Sequence, residues 1–377
     1  MKNELSSLDL YYLIRELKVL EGSKVDRIYL PKSNPKELTV SCHITSQGKT
    51  LLKVLLPGMI FLDDSKDSSD TPTGFGMMLR KYLEGSKIRN IEQKDFERVT
   101  TITLEVKAGT EITTYYLIIE LFSKGNIIFC DDKLKILNII EEQSWKDRIL
   151  KRGETYIYPK SKFDVLKVSE EEFKDHLKNS DKESLVKALA ITFSLGGTYA
   201  EELCYDSKIE KNKITKTLTD KEYSSLYKNL IMLFHEETSA NSCEGNIYPF
   251  VLESLKDKEQ KKYSSFCEAI RENYDVIKHL ESKKDTNKAM ERIQNVIDEQ
   301  LKVLAECEDG YKENQAKGEL LYEKYQEIDA ILRTIKEART KYSWNVIRQK
   351  LSDNPEFKKI IKDIDEKNNS IILEIEK

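Results

Sequence analysis

The chain has 377 residues, of which 34% are charged, and its 62 lysines and arginines against 66 aspartates and glutamates give a formal net charge of −4. This length exceeds one ordinary domain, so we expect two or three. Because positive and negative charges nearly balance, the chain as a whole does not have the basic composition typical of a nucleic-acid-binding protein. Any basic surface must therefore be local. The six cysteines are scattered without a CxxC pair, which argues against a zinc site or a disulfide framework and predicts reduced thiols.

The first predicted element is an amphipathic helix over residues 7–20, in which leucines and isoleucines recur at helical spacing. Ser6 or Ser7 can cap it, and Asp9 falls in its first turn, where the helix dipole favours a carboxylate. The stretch before it lacks the apolar core of a signal peptide, and the chain has no run of about 18 apolar residues to span a membrane. We therefore expect a cytoplasmic protein with no membrane partner.

A series of strands follows, interrupted by a second helix over residues 74–83. The predicted strands are rich in β-branched and aromatic residues and are bounded by proline and glycine. They cover residues 25–30, 38–45, 51–56, 88–93, 99–106, 113–121, 126–130 and 134–140. Many strands with few helices predict an α+β chain that begins with a β-sandwich flanked by two helices, which we place at residues 1–165.

The pattern becomes helical over residues 166–250. Predicted helices cover residues 170–176, 184–192, 199–204 and 220–235, and the second and third are separated by Leu195-Gly196-Gly197-Thr198. Short helices joined by a glycine turn predict a helix-hairpin-helix module. The backbone amides at Gly196 and Gly197, beside a helix start, could hold a phosphate, and the alternative is a plain tight turn.

Residues 251–342 predict a long helical arm. Apolar residues recur three or four positions apart in two stretches, as in the seam of a coiled coil. The first stretch carries Ile293, Ile297, Leu301, Leu304 and Tyr311, and the second carries Leu321, Tyr325, Ile328, Leu332, Ile335 and Ala338. Residues 343–377 form a small final part, in which residues 370–375 predict one strand.

Three ordered motifs resemble those of the NFACT family, the ribosome quality-control factors that include NEMF and RqcH and are also known as fibronectin-binding protein A. They are FGMMLRKYL at 75–83, EQKDFERVTTITLE at 92–105 and LIIELFSKGNII at 117–128. The eukaryotic and archaeal branch is the more similar, judged by the stretches at 124–128 and 317–322. The resemblance implies a MutM-like first domain, a helix-hairpin-helix module and a coiled coil, without the family's final NFACT-R part.

The resemblance also implies a function. Members of the family bind the large ribosomal subunit obstructed by peptidyl-tRNA, and they recruit tRNA, chiefly alanyl-tRNA, for untemplated C-terminal tails. The ribosome makes the peptide bonds, so we expect no enzyme activity, no catalytic residue, no cofactor and no metal. The chain would act by binding RNA.

Four positions match the family's tRNA-related residues: Asp9, the pair Glu97-Arg98, and Glu120. Glu97 departs from the family pattern, which has aspartate there, and this displaces the carboxylate by one methylene. The residues alone leave simpler roles open: Asp9 as a helix-start residue, Glu97-Arg98 as a surface ion pair, and Glu120 as a satisfied structural carboxylate. We expect Asp9 and Glu97-Arg98 to share one cationic face.

Basic residues are concentrated before and within the second motif. They are Arg80, Lys81, Lys87, Arg89, Lys94 and Arg98. Arginine suits phosphate through its planar guanidinium, so this cluster predicts a patch on the sandwich edge that binds the RNA backbone with salt-sensitive affinity.

Two other functions are open. The chain could be a coiled-coil adaptor that recruits a ubiquitin ligase to stalled ribosomes, as eukaryotic relatives do. It could also be a MutM-like DNA glycosylase, but those enzymes carry a Pro-Glu pair after the first methionine. Here Lys2-Asn3 stands in its place, so the nucleophile of the Schiff-base chemistry is missing.

Overall fold

The computed structural model of the chain describes residues 2–45, 48–64, 71–145, 147–159, 164–353, 360–365, 368 and 370–375, without the side chains of 279–289, 291 and 352. The chain divides into two units, Met1–Glu281 and Ser282–Lys377. The first unit contains both the predicted β-rich domain and the predicted helical module. The domain boundaries near residues 165, 250 and 342 stay predictions.

A nine-stranded antiparallel sheet dominates the first unit. Its strands are β1 (Lys24–Tyr29), β2 (Glu37–Ile44), β3 (Gly48–Leu55), β4 (Met59–Asp63), β5 (Lys87–Gln93), β6 (Val99–Ala108), β7 (Glu111–Glu120), β8 (Asn126–Cys130) and β9 (Ile136–Ile139). The order across the sheet is β4-β3-β2-β1-β5-β6-β7-β8-β9. Two helices, α1 (Ser7–Leu17) and α2 (Gly74–Leu83), pack on its core and confirm the predicted helices.

The two halves of the sheet meet between β1 and β5. Lys24 is aligned with Lys87 there, and Val25 N donates to Ser86 O at 2.9 Å just beside that pair. The halves share one apolar core. The prediction of a sandwich is therefore wrong in one respect, because hydrogen bonds join the two halves into one continuous sheet. Local sequence does not reveal a junction between strands that are far apart along the chain.

Helix α1 is buried on two sides. Leu10 and Leu13 pack in the core of the sheet, whereas Leu8 and Tyr12 pack in a second core with the helical module. The start of α1 is thereby held between the sheet and the helices that follow it.

Four helices build the second core. They are α3 (Glu170–Lys178), α4 (Leu185–Thr192), α5 (Gly196–Asp206) and α6 (Asp220–His235). Capping boxes begin two of them, Ser169 with Glu172 in α3 and Thr219 with Glu222 in α6. The four predicted helices are present, although α5 begins earlier than predicted, at Gly196. Their grouping as a helix-hairpin-helix module stays a prediction.

Several short strands were not predicted from the sequence. They are β4 in the large sheet, β10 (Gln143–Trp145) and β11 (Arg148–Leu150), and β12 (Asn241–Cys243), β13 (Asn246–Tyr248) and β14 (Lys261–Lys262). The last five have two or three residues each, too few to show a period of two, and β4 is apolar on both faces, so it shows no alternation.

Helix α7 (Phe266–Glu323) begins in the first unit and continues into the second without a break. Its start is capped by Glu16, whose carboxylate accepts from Phe266 N at 2.7 Å and from Cys267 N at 2.8 Å. Helix α8 (Tyr325–Lys341) follows after Lys324, so Leu321 lies in the same helix as the first predicted seam. The second predicted stretch is therefore divided between α7, which contains Leu321, and α8.

Most residues of the predicted seams are exposed. Those with large exposed side chains are Ile293, Ile297, Leu301, Leu304, Tyr311, Leu321, Tyr325 and Leu332, whereas Ile335 is buried. Coiled-coil pairing stays a prediction. The second unit ends with α9 (Trp344–Ser352) and a hairpin of β15 (Ile361–Asp365) and β16 (Ser370–Leu373), so the predicted final strand has a partner. Within the described ranges, every helix is too short or too polar to cross a membrane.

Candidate nucleic-acid interface

A capping box begins α1. Ser6 Oγ accepts from Asp9 N at 3.1 Å, and Asp9 Oδ2 accepts from both Ser6 N and Ser6 Oγ at 2.7 Å. The serine and the carboxylate thus satisfy amides that a helix start otherwise leaves unpaired. The predicted cap and the first-turn position of Asp9 are confirmed.

The carboxylate of Asp9 lies inside the protein, with 0% of the residue exposed. Lys2 Nζ is 2.6 Å from Oδ2, and Tyr199 Oη donates to Oδ1 at 2.6 Å. Burial and the adjacent carboxylate raise the pKa of Tyr199 well above its ordinary value, so the phenol stays a proton donor. Asp9 therefore does not form part of an exposed cationic face, because its neighbours enclose it.

The loop between β5 and β6 lies against the same helix start. Asp95 and Phe96 both have left-handed backbone angles, with φ of 46° and 56°, and Phe96 is buried against Tyr11 and Phe234. Packing of the ring holds this strained conformation in place. Gln93 Nε2 joins the loop to the helix, donating to Ser7 O at 2.8 Å and to Glu97 O at 3.0 Å.

Glu97 and Arg98 close this loop, and both are partly exposed. Arg98 Nη1 donates to Glu4 Oε2 at 2.8 Å, and 31% of the Arg98 side chain is exposed. Burial raises the pKa of Glu97, and the Arg98 guanidinium opposes that rise. An exposed pair of this kind contributes little to stability, so a phosphate can replace Glu4 as the partner of Arg98 at small cost.

The glycine turn reaches the same place from the helical module. A Cβ built on Gly196, whose φ is +74°, would lie 3.6 Å from Ser6 Cβ, so the turn packs against the cap of α1. In the described part of the chain no side chain caps α5, and a Cβ on Gly197 would meet nothing within 4 Å. Uncapped amides at an open helix start favour an anion.

Three features from distant parts of the sequence therefore converge: the start of α1, the loop 94–98, and the start of α5. We call their shared surface the α1-start surface and define it by Glu4, Glu97, Arg98, Gly196 and Gly197. Asp9 lies directly beneath it, bonded to Ser6 and Tyr199.

Glu120 also has internal partners. It is 1% exposed, Tyr156 Oη donates to its Oε1 at 2.8 Å, and Arg148 forms an ion pair with the same oxygen. Its connection to the loop 94–98 runs through the backbone, since Leu121 N donates to Arg98 O at 2.8 Å. The carboxylate itself faces Arg148 and Tyr156.

The predicted basic patch is not on a sheet edge, because β5 lies between β1 and β6. The pairing of β5 with β1 joins strands that are far apart in the sequence, so the sequence alone did not reveal it. Besides Arg98, three of its cations have carboxylate partners: Arg80 with Glu84 at 3.8 Å, Arg89 with Glu105 at 2.5 Å, and Lys94 with Asp95 at 3.6 Å. Lys81 is exposed on α2. Arg98 is the member of this cluster that lies on the α1-start surface.

Sequence reasoning missed the partners that organise this site. Lys2 and Tyr199 hold Asp9, Gln93 joins the loop to α1, and Arg148 holds Glu120. Each contact joins residues that are distant in the chain or on unrelated elements, so spacing carries no signal for it. Among the described residues, no group of three or more histidines, cysteines or carboxylates is arranged to hold a metal ion.

Residues 6–363 match the family described as NFACT N-terminal and middle domains. Among curated proteins, the Archaeal Rqc2 homolog aRqcH of Methanocaldococcus jannaschii is 29% identical over 400 aligned residues, covering 100% of this chain and 58% of that protein. The Ribosome quality control complex subunit NEMF of Homo sapiens is 21% identical, covering 90% of this chain and 34% of that protein. The chain thus spans well under two thirds of these relatives.

A solved structure shares the fold of the first unit. The N-terminal part of the fibronectin/fibrinogen-binding protein from Streptococcus suis superposes with a TM-score of 0.60 at 23% identity, covering 72% of this chain and 100% of that structure. At this identity the likeness concerns the fold alone.

Proposed function

Because this chain belongs to the family of NFACT N-terminal and middle domains, we propose that it is a ribosome quality-control factor that binds the large ribosomal subunit obstructed by peptidyl-tRNA. The human relative is named as a subunit of the ribosome quality control complex. The activity of that longer protein enters here as part of the proposal, since the chain covers 34% of it.

We further propose that the chain binds tRNA at the α1-start surface. The convergence of the loop 94–98 with the starts of α1 and α5 is the observation that carries this proposal. Arg98 supplies a cation whose present partner is the exposed carboxylate of Glu4. The open amides of α5 supply neutral donors for a second phosphate oxygen.

Of the four proposed tRNA-binding residues, Glu97 and Arg98 are the two at the surface. Asp9 lies beneath it, and Glu120 is buried against Arg148 and Tyr156. Arg80, Lys81, Arg89 and Lys94 are outer contacts in the proposal. Lys81 is exposed, and the other three become available to a large RNA as their ion pairs exchange. Such contacts give affinity without sequence preference.

Recruitment of alanyl-tRNA for tail synthesis is the finer part of the proposal. The ribosome would make the peptide bonds, and this chain would position the tRNA without a cofactor. A positioning site needs its groups within about half an ångström of the productive geometry. Glu97 has one methylene more than aspartate, so tailing is the step most sensitive to this position.

Sedimentation with isolated large subunits tests the proposal. The chain is expected to co-sediment with subunits that carry peptidyl-tRNA and to be depleted from the pellet of empty subunits. Equal recovery with both, or recovery with neither, would refute the ribosome-binding role. Recovery of a ubiquitin ligase with the subunits only when this chain is present would instead support an adaptor.

A second measurement addresses tailing alone. In a reconstituted reaction with stalled subunits and alanyl-tRNA, Glu97→Asp is expected to lengthen tails relative to the unchanged chain, because it restores the shorter carboxylate. The variant should bind subunits as the unchanged chain does. Shorter tails with Glu97→Asp would show that the longer side chain is the one that fits.

A further inference from the structure

We propose that Lys2 and Tyr199 are positioning residues for RNA binding, which hold Asp9 and thereby fix the start of α5 beside the start of α1. The inference rests on the proposed tRNA-binding function and deepens it. It assigns Asp9 an indirect role: the carboxylate organises the surface and does not touch RNA.

The carboxylate of Asp9 is saturated with hydrogen-bond donors. An ionised carboxylate offers about four acceptor sites. Its donors are Lys2 Nζ, Tyr199 Oη, Ser6 N and Ser6 Oγ, at distances of 2.6 to 2.8 Å. With the residue wholly buried, no acceptor site remains for an RNA hydroxyl or base amine.

The donors to Asp9 come from different parts of the fold. Tyr199 lies in the first turn of α5, Ser6 caps α1, and Lys2 precedes both. Lys2 Nζ also lies 5.3 Å from the centre of the Tyr199 ring and 5.5 Å from that of Tyr248. Asn273 Nδ2 holds the Lys2 carbonyl at 2.8 Å, which ties this residue to α7.

The network around Asp9 also holds the glycine turn in place. Tyr199 follows the glycine turn directly, and the turn packs on Ser6. A fully satisfied buried polar network rigidifies its surroundings, whereas a network with one member missing leaves a buried group unpaired. Losing the Tyr199 hydroxyl therefore frees the start of α5 from its place against the cap of α1, although the α5 amides themselves are unaltered.

The test compares two tyrosines of the helical module. Tyr199→Phe removes the donor to Asp9, and Tyr223→Phe is the matched control, because its buried hydroxyl likewise makes one hydrogen bond, to Thr215 O at 2.7 Å. Affinity for total tRNA is measured by fluorescence anisotropy from 50 to 200 mM salt, at a temperature where thermal unfolding shows each variant fully folded.

Tyr199→Phe is expected to weaken tRNA binding about fivefold or more and to leave the slope of log affinity against log salt unchanged, because the α5 amides that lose their phosphate contact are neutral and release no counterion. Tyr223→Phe should leave both values unchanged. Equal binding by the two variants would overturn the proposal. Absence of salt-dependent tRNA binding by the unchanged chain would refute the tRNA-binding function itself, which is a distinguishable result.

Two substitutions that remove the charges of Asp9 and Lys2 distinguish a positioning role of Asp9 from direct contact with RNA. In Asp9→Asn, the amide oxygen can still accept from Ser6 and the amide nitrogen can donate to Tyr199 Oη, but Lys2 loses its counter-ion. Adding Lys2→Met removes that unpaired cation. The double variant is expected to bind tRNA more tightly than Asp9→Asn alone, because it no longer leaves the Lys2 cation unpaired beside the network. A folded double variant that binds no better than Asp9→Asn alone would contradict the positioning role, because the loss would then follow the carboxylate itself.

Discussion

Four acidic or basic side chains that share one predicted role lie in two different environments. Asp9 and Glu120 are buried and have internal partners, whereas Glu97 and Arg98 are at the surface. A charge with a buried partner is costly to disturb, and an exposed one exchanges partners easily. In the proposed tRNA-binding function, direct contact with RNA is therefore assigned to Arg98, and support of the surface is assigned to Asp9.

Arg98→Ala is expected to weaken tRNA binding severalfold and to reduce the salt slope by about 1, since one phosphate contact is lost. Its effect on the free energy of unfolding should stay below about 1 kcal/mol, because the Arg98–Glu4 pair is exposed. Anisotropy titrations and urea unfolding measure the two quantities.

The matched control is Arg271→Ala. Arg271 is 34% exposed and pairs with Asp64 at 3.1 Å, far in sequence from the α1-start surface. Arg271→Ala should leave tRNA affinity unchanged. If the two variants lose affinity equally, the binding is not directed to Arg98.

Asp206 provides a pH-dependent test of the helical module. Burial, followed by the charge of Glu202, raises the pKa of Asp206 from 3.8 to about 6. The folded chain then binds more protons than the unfolded chain between these values, so this residue's contribution to stability is present below about pH 4 and is lost as the pH rises through about 6.

Asp206→Asn should therefore raise the free energy of unfolding at pH 7 by about 1 kcal/mol, a figure reduced for solvent screening of a half-buried group. At pH 4 the variant and the unchanged chain should have similar stability. Urea unfolding at both pH values measures the difference. If the free energies of unfolding of the variant and the unchanged chain differed equally at both pH values, Asp206 would not titrate in this range.

The sequence predicts the site only in part. The spacing of Ser6 and Asp9 predicts a helix cap, and the cap is present. The same spacing cannot predict that Tyr199 reaches Asp9, because that contact depends on how the helical module packs on α1. Burial of Asp9 follows from tertiary structure and changes the expected role of the residue.

At the scale of elements, capping boxes offer a paired comparison. Ser6 in α1 and Ser169 in α3 both accept from an amide three residues later and donate to that residue's carboxylate. Ser169→Ala should cost about 1 kcal/mol of unfolding free energy, the usual value for a lost cap. Ser6→Ala should cost about 2 kcal/mol, because Asp9 is buried and loses a donor that water cannot replace.

Urea unfolding of both variants, with the unchanged chain beside them, measures the difference. An Ser6→Ala cost no greater than that of Ser169→Ala would indicate that water reaches the Asp9 carboxylate. That outcome would also weaken the positioning role assigned to Lys2 and Tyr199.

Long periodic elements were predicted well and short or non-local ones were not. The hairpin of β6 and β7 and the helix α6 follow clear apolar patterns, and the structure has both. The junction of β1 with β5 is invisible to such patterns, since it depends on which strands meet. For the same reason, the strands predicted as a sandwich form one sheet, and the basic patch predicted at its edge includes β5, a central strand.

At the scale of the whole molecule, the first unit contains the sheet core, the helical core and every residue of the α1-start surface. A fragment of residues 1–281 is expected to unfold cooperatively and to bind tRNA within about twofold of the full chain. Calorimetry and anisotropy measure these properties. Loss of tRNA binding in a folded fragment would place the main contacts in the helical arm.

The charge of the molecule is consistent with a local binding surface. A net charge of −4 cannot attract RNA over a distance, so affinity must come from a few placed donors. Crosslinking to tRNA followed by mass spectrometry tests that claim most directly. We expect crosslinked peptides from the loop 94–98 and from the start of α5. Crosslinks confined to other surfaces of the first unit, or to α7 beyond residue 290, would contradict it.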